Sequence, residues 1–304
     1  MRIGTLQLFR QGLNSMLDRQ TTLAKTQLQL STGKRINNPS DDPTGAARLL
    51  GLSESLKLTK QYQNNIQQLK ANLPLEDNAL GSVVGNLQRA RELTVQALNA
   101  TNNRQDRAAI AKEVRQIATQ VLSLANSKNG TGEFLFGGFQ NRAQPFSDNG
   151  AGVFNYAGDQ GQRSLQIGPE RKVANGDSGS AVFMKIPDAS GTAPFQDIFT
   201  TLNTLVTDLT TGTGAPNAQS LDQLDNALEH ITGFQATVGA RLNAVDNQEA
   251  INSGLVLQLT STRSTIEDLD LVSASAKLSQ QTVGLQAAQQ AFVRVQNLNL
   301  FNFL

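Results

Sequence analysis

The 304-residue sequence has no cysteine, no tryptophan and a single histidine, His230. Thiol chemistry, disulfide staples and any metal site that needs two histidines are therefore out of reach. Aromatic residues make up only 5% of the chain, while Gln, Asn, Ser, Thr and Ala are plentiful, a mix that suits long helices with thin apolar seams better than a thick globular core. The 26 basic and 25 acidic residues nearly cancel, so there is no electrostatic case for nucleic acid. No run of about eighteen apolar residues occurs, and no transmembrane helix is predicted. The opening stretch Met1-Arg2-Ile3-Gly4-Thr5-Leu6-Gln7 has neither a continuous apolar region nor a small-residue cleavage site, so a cleaved signal peptide is not expected.

Catalytic signatures are missing as well. There is no H-E-x-x-H, no G-x-S-x-G and no phosphate-binding loop. Ser31-Thr32-Gly33-Lys34 fits the S-x-x-K pattern of acyl-transferring serine enzymes, but no S-D-N precedes a later K-T-G. Asp41 and Asp42 have no nearby histidine or third carboxylate with which to hold a metal, and a turn and helix cap account for them. His230, beside Glu229 in a helical pattern, reads as a boundary residue rather than a base. No enzyme, metal or cofactor is expected. Asn99-Ala100-Thr101 and Asn129-Gly130-Thr131 are glycosylation tripeptides of low specificity.

What the chain has is seams. Leu271, Leu278, Leu285 and Phe292 recur every seven residues, with Ala274, Ala288 and Val295 in a second row that Gln281 interrupts. At the other end Leu6 and Leu13 are seven apart, and Phe9, Met16, Leu23 and Leu30 form an unbroken row. Gln20 and Gln27 are its polar interruptions. Stripes this narrow suit helix pairing better than a broad core. Matching seams at the two ends predict a chain folded back on itself, with ends that pair with each other and with neighbouring copies. The apolar tail Leu298-Asn299-Leu300-Phe301-Asn302-Phe303-Leu304 points the same way.

Between the seams the chain reads as two helical arms and an insert. A first helix over 5–31 stops at Gly33. Asp42 before Pro43 is a helix start, with a carboxylate N-cap followed by proline at the first helical position. A long helical region runs from Pro43 to about Asn99, with a kink or short break expected at Pro74. Another helix follows a loop over 99–106, from Arg107 to about Asn126. Glycines and aromatics then mark short strands over 133–190, among them Ser164–Ile167 and Ala181–Met184. Helix returns at about Pro194–Thr210 and again over Pro216–Asp270.

Several blocks of this sequence resemble bacterial flagellins and their hook-associated relatives. Ser31-Thr32-Gly33-Lys34-Arg35-Ile36-Asn37, with Asp41, Asp42 and Ala46, is similar to the N-terminal block of that family. Asn86 to Ala97 resembles the end of a helix in its D1 domain. Val238 to Asn243 and Ser264 to Asp268, with Asp270, resemble the returning D1 helix. The prolines of Asn38-Pro39-Ser40-Asp41-Asp42-Pro43 and the block Glu133 to Gly138 resemble the hook–filament junction branch, because filament flagellins usually carry small or charged residues in place of the two prolines.

The resemblance implies a mainly α fold, a long antiparallel helical rod with a terminal coiled coil and a small β-rich insert. It places a D0-like coiled coil at 1–40 and 268–304, a D1-like rod at 41–132 and 191–267, and the insert at 133–190. It implies a non-enzymatic structural subunit, an adaptor ring of identical copies between hook and filament. Its partners would be another hook-associated protein on one side and flagellin on the other, with an export chaperone on the C-terminal helix. It also implies an extracellular place on the flagellum, reached through the flagellar secretion channel. Assembly would use Leu6, Phe9, Leu13, Met16, Leu23, Leu30, Leu271, Leu278, Leu285, Phe292 and Val295. Pro39, Asp41, Asp42 and Pro43 would form a cap and hinge between D0 and D1. Arg89, Leu93 and Glu113 align with a patch read by the innate flagellin receptor, or serve only lateral contacts. A filament flagellin, an enzyme on flagellin-like arms and another secreted coiled-coil protein are the alternative readings.

Overall fold

The structure, a computed structural model, describes residues 5–99, 101–150, 152–211 and 218–301, apart from the side chains of Thr5, Leu6, Leu8, Ala218 and residues 295–301. Three helices come first: α1 (Thr5–Thr32), α2 (Pro43–Ala97) and α3 (Arg104–Ala125). Strands β1 (Phe146–Asp148), β2 (Phe154–Tyr156), β3 (Ser164–Gln166) and β4 (Lys172–Ala174) lead to a short α4 (Gly179–Phe183). Then come β5 (Ile186–Pro187), β6 (Phe195–Gln196), α5 (Ile198–Thr211), α6 (Ala218–Glu267) and α7 (Leu271–Phe301). The fold is mainly helical, with small antiparallel strand pairs. Two compact units share it, one from Met1–Leu58 with Gly254–Leu304 and one from Thr59–Ser253.

In the middle unit, spacing along α2 sets the core. Ile66, Leu69, Leu73, Glu76, Leu80, Val83, Leu87, Ala90, Thr94 and Ala97 are all buried, in alternating steps of three and four. That is one continuous helix face. On α6, Leu224, Ala227, Ile231, Val238, Val245, Gln248 and Asn252 are buried at the same spacing, with half-buried Phe234 and Arg241 in the gaps. The two helices run antiparallel, joined from Gln63–Ser253 (3.2 Å) through Lys70–Glu249 (2.6 Å) to Arg91–Asp225 (2.5 Å). α3 packs against α5 and adds Val114, Ile117 and Val121 to the core.

The strands form three separate hairpins, β1–β2, β3–β4 and β5–β6. Their registers pair Ser147 with Asn155, Leu165 with Val173 and Pro187 with Phe195. An aromatic cluster ties the first hairpin to the helices. Phe146 stands 5.0 Å from Tyr156, 5.5 Å from Phe183 on α4 and 5.1 Å from Phe199 on α5, between ring centroids.

Four expectations are corrected here. Pro74 does not break α2, which is continuous from Pro43 to Ala97. One lost backbone donor is outweighed by burial of Leu69, Leu73 and Leu80 on either side. α3 begins at Arg104, inside the expected loop, because Asn103 caps it and Asp106 completes a capping box. Ala181–Met184 is no strand. Ser178 caps α4 there, and Val182 and Phe183 are both buried, as a two-sided helix turn allows and an alternating strand does not. The third hairpin reaches Gln196, past residue 190, so the returning helix begins at Ile198 rather than Pro194. Pro216 lies outside the described residues.

In the terminal unit, Gly33 ends α1 with φ of 68°, a left-handed turn that glycine adopts without strain. The segment after it is pinned to the junction of α6 and α7. Leu269 N–H donates to Gly33 O at 3.0 Å, Arg35 N–H to Glu267 O at 2.7 Å, and the Arg35 guanidinium to Ile266 O at 2.9 Å. Asp41 Oδ2 accepts from the Asn37 and Asn38 N–H groups at 3.2 and 3.0 Å, and its other oxygen pairs with Lys25 at 2.8 Å. Asp42 caps α2 by accepting from Gly45 N–H at 2.9 Å, with Pro43 first in the helix. Gly45 lets the turn close tightly, since an added Cβ would stand 2.6 Å from both Asp42 Oδ2 and Ile36 Cδ1 and the two side-chain ends would have to shift.

Two outcomes are expected. Leu80→Ala, in the closed α2 row, should cost about 2–5 kcal/mol in urea denaturation. For the turn, the Lys25 partner and the two N–H donors hold the Asp41 carboxyl at about 2, below its usual 3.8. A depressed folded value gives stability that is present above about pH 4 and lost as pH falls towards 2. Melting temperatures from pH 6 to pH 2 should show that loss in the wild type, and Asp41→Asn should remove this part of it.

Candidate functional site

α1 and α7 pack against each other. They run antiparallel, since Phe9 meets Phe292 with ring centroids 5.2 Å apart while the far end of α1 pairs at Lys34 with Asp268. Two glycines admit bulkier partners across the pair. A Cβ on Gly12 would stand 3.1 Å from the Phe292 ring, and one on Gly284 3.2 Å from Arg19 Nη1. A lone glycine within each helix is no signal by itself, and only the pairing makes the two readable. Asp270 starts α7 by accepting from the Val272 and Ser273 N–H groups at 3.0 and 3.2 Å.

The pair brings the seam residues together without burying them. Phe9 keeps 43% of its surface exposed, Leu13 38% and Leu271 57%. Met16, Leu23, Leu30, Leu278, Leu285 and Phe292 are half-buried, and Ala274 is buried. The side chains of Leu6 and Val295, and the apolar tail from Leu298, lie outside the described ones. Beyond the seam, Leu17, Leu28, Val272, Val283 and Val293 are exposed, so both helices show apolar surface on further faces. Gln281, the interruption in the second row, has a buried Oε1 with no hydrogen-bond partner among the described residues. A polar group at such a place lowers stability and specifies register.

The cap-and-hinge residues sit together at the base of this pair. Asp41 and Asp42 face Lys25 and Arg35, while Pro39 and Pro43 are exposed. Arg35 itself is bonded to Asp42 and to α6, and only Asp42 was within reach of the sequence, because Ile266 lies more than two hundred residues away. In the middle unit, Arg89 is exposed and paired with Glu113 at 2.8 Å and Glu92 at 3.0 Å. Leu93 is 2% exposed and belongs to the core, so only Arg89 and Glu113 of that trio are open to a receptor.

Among the described residues no group of three or more His, Cys, Asp or Glu side chains could hold a metal ion. No helix among them is long and apolar enough to cross a membrane. His230 is held 2.9 Å from Ala181 O and edge-on to Phe234. Asn129 spends its side-chain oxygen on the Thr131 and Glu133 N–H groups, each at 3.0 Å, in its own turn. What the arrangement offers is surface for packing.

The bacterial flagellin N-terminal helical region matches residues 3–141, and the bacterial flagellin C-terminal helical region matches residues 221–304. Flagellar hook-associated protein 3 of Salmonella typhimurium is 29% identical, over 99% of both chains. Phase 1 flagellin of Salmonella naestved is 32% identical over 113 residues, which is 37% of this chain and 22% of that one. Among solved structures, flagellar hook-associated protein 3 of Legionella pneumophila shares the fold, with a TM-score of 0.66 and 22% identity over 71% of this chain and 98% of that one. Two flagellin regions that together cover the larger part of the sequence, on a helical fold with paired terminal helices, leave one assignment: the chain belongs to the bacterial flagellin family.

Proposed function

We propose that the chain is a structural subunit of the bacterial flagellum that forms the hook–filament junction. The observation that carries this is the α1–α7 pair, whose apolar seam stays half-open in a single chain. Each large apolar side chain gains about 1.5–3 kcal/mol on full burial, so a second copy has much to cover. Joined head to tail through such seams, copies would propagate into rings or helices rather than close as dimers. The end-to-end similarity to hook-associated protein 3 supports the junction role. A filament flagellin is the second reading, and a match confined to 113 residues weighs against it.

In this reading the subunit works by packing, not catalysis. It assembles as a ring of copies, with another hook-associated protein on the hook side and flagellin on the filament side. An export chaperone covers α7 until assembly, and the chain leaves through the flagellar secretion system. Residues 1–40 with 268–304 act as the D0-like coiled coil, 41–132 with 191–267 as the D1-like part, and 133–190 as the insert. Arg89 and Glu113 serve lateral contacts. The 39–43 block acts as a stiff hinge, supported by two prolines on either side of Ser40 and by the capping carboxylate of Asp42.

Labelling the native protein on intact flagella should give a single band at the distal end of the hook, and label along the whole filament would favour the flagellin reading instead. Leu285→Asp or Phe292→Asp, each placing a charge on the seam, should leave normal helicity by circular dichroism but abolish junction assembly. Junctions that still carry filaments would remove the seam from the mechanism. Replacing Pro39 and Pro43 with Ala should leave thermal stability nearly unchanged, while motile cells shed filaments under viscous load. Filaments that stay attached as in wild type would reduce the block to an ordinary turn.

A further inference from the structure

The α2–α6 seam of the middle unit is interrupted by charge at one level. On α2, Glu76 takes a core position between Leu73 and Leu80 and is 1% exposed. On α6, Arg241 takes the matching place between Val238 and Val245. Between them stands Asp177, from the segment that joins β4 to α4. The Arg241 guanidinium grips its carboxylate twice, at 2.8 and 2.9 Å, and Gln162 Nε2 donates to it at 2.6 Å. Asp177 N–H in turn donates to Glu76 Oε1 at 2.9 Å. Glu76 Oε2 is buried without a partner among the described residues. The next residues carry the local fold, since Ser178 caps α4 and Gly179 N–H donates to Phe136 O at 2.9 Å.

An ionised carboxylate with a free oxygen is poorly tolerated in such a place. The charged groups that face Glu76 are Asp177 from the insert, Arg241 from α6 and Asp77 from its own helix. Burial first, and then the Asp177 charge, push the Glu76 carboxyl up to about 8, and the Asp177 N–H and the Arg241 cation offset only part of this. Arg241 is already committed to Asp177. At neutral pH the carboxyl of Glu76 therefore favours its protonated form.

We propose that Glu76 is a proton-controlled latch: neutral, it docks the β4–α4 segment of the insert onto the α2–α6 seam, and ionised, it lets that segment open. The device lies within one chain and stands independently of the assembly reading. When the segment opens, water reaches the carboxyl and its pKa returns towards the usual value of about 4.5. The open state then gives up its proton more readily than the closed one. A raised folded value means that the stabilising contribution is complete below about 4.5 and lost as pH rises through about 8. The opening constant should accordingly rise about tenfold per pH unit across that window and level off above it.

Hydrogen exchange on the full chain from pH 5.5 to pH 9, corrected for intrinsic rates, tests this at amides 173–183. Wild type should show the tenfold-per-unit rise and a plateau above about pH 8, while Glu76→Gln should be flat. Amides 110–121 of α3 should not follow the trend. Carbon-13 spectra of glutamate carboxyls in the wild type should show one group titrating near pH 8, absent from Glu76→Gln. Should that variant fail to fold, the wild-type exchange profile and carboxyl titration decide alone. Opening that ignores pH, a rise shared equally by α3, or a Glu76 carboxyl that titrates near 4.5 would overturn the latch.

Discussion

Burial of the three-four row on α2, from Ile66 to Ala97, is what the middle unit depends on. A face of that kind must be covered, and α6 covers it antiparallel with a row of the same spacing. Other features are tolerated because this row is closed. Pro74 gives up a hydrogen bond inside it without ending the helix. Thr94 sits in it with its hydroxyl returned to Ala90 O at 2.7 Å. Glu76 sits in it as an acid, and burial first, then the facing Asp177 charge, favours its neutral form.

The terminal unit applies the same spacing to an opposite end. α1 and α7 have seven-residue rows and pack against each other. The result is a seam that orders the pair and leaves Phe9, Leu13 and Leu271 open. In the proposed function, stability and assembly therefore draw on the same side chains. The polar turn at residues 33–42 is the closed part of this unit. Arg35, Lys34 and Gly33 bind the α6–α7 junction, and Asp41 and Asp42 fold the turn onto α1 and α2.

Helix existence and the terminal seams were legible in the sequence, because heptad spacing is a local property that any window of the chain displays. Asp42-Pro43 announced the start of α2 for the same reason, since a cap is satisfied within four residues. Composition excluded thiol chemistry and two-histidine metal sites before any fold was known. The α3 cap was equally local and was legible in Asn103 and Asp106, although the expected loop ran past it.

Tertiary structure alone decided the rest, because those outcomes depend on groups far apart in the chain. Val182 and Phe183 suit a strand by composition, and the Ser178 cap with aromatic neighbours on two sides makes them a helix turn. Gly12 and Gly284 acquire a purpose only once Phe292 and Arg19 approach across the pair. Leu93 resembles part of an exposed patch until the fold turns it inward. Glu76 occupies a position in a readable row, but neither its burial nor its facing charge is local. Asp177 lies 101 residues away, and only the packed insert puts it there. The sequence by itself determined where helices form and which faces must be covered; the assembled chain decided what covers them.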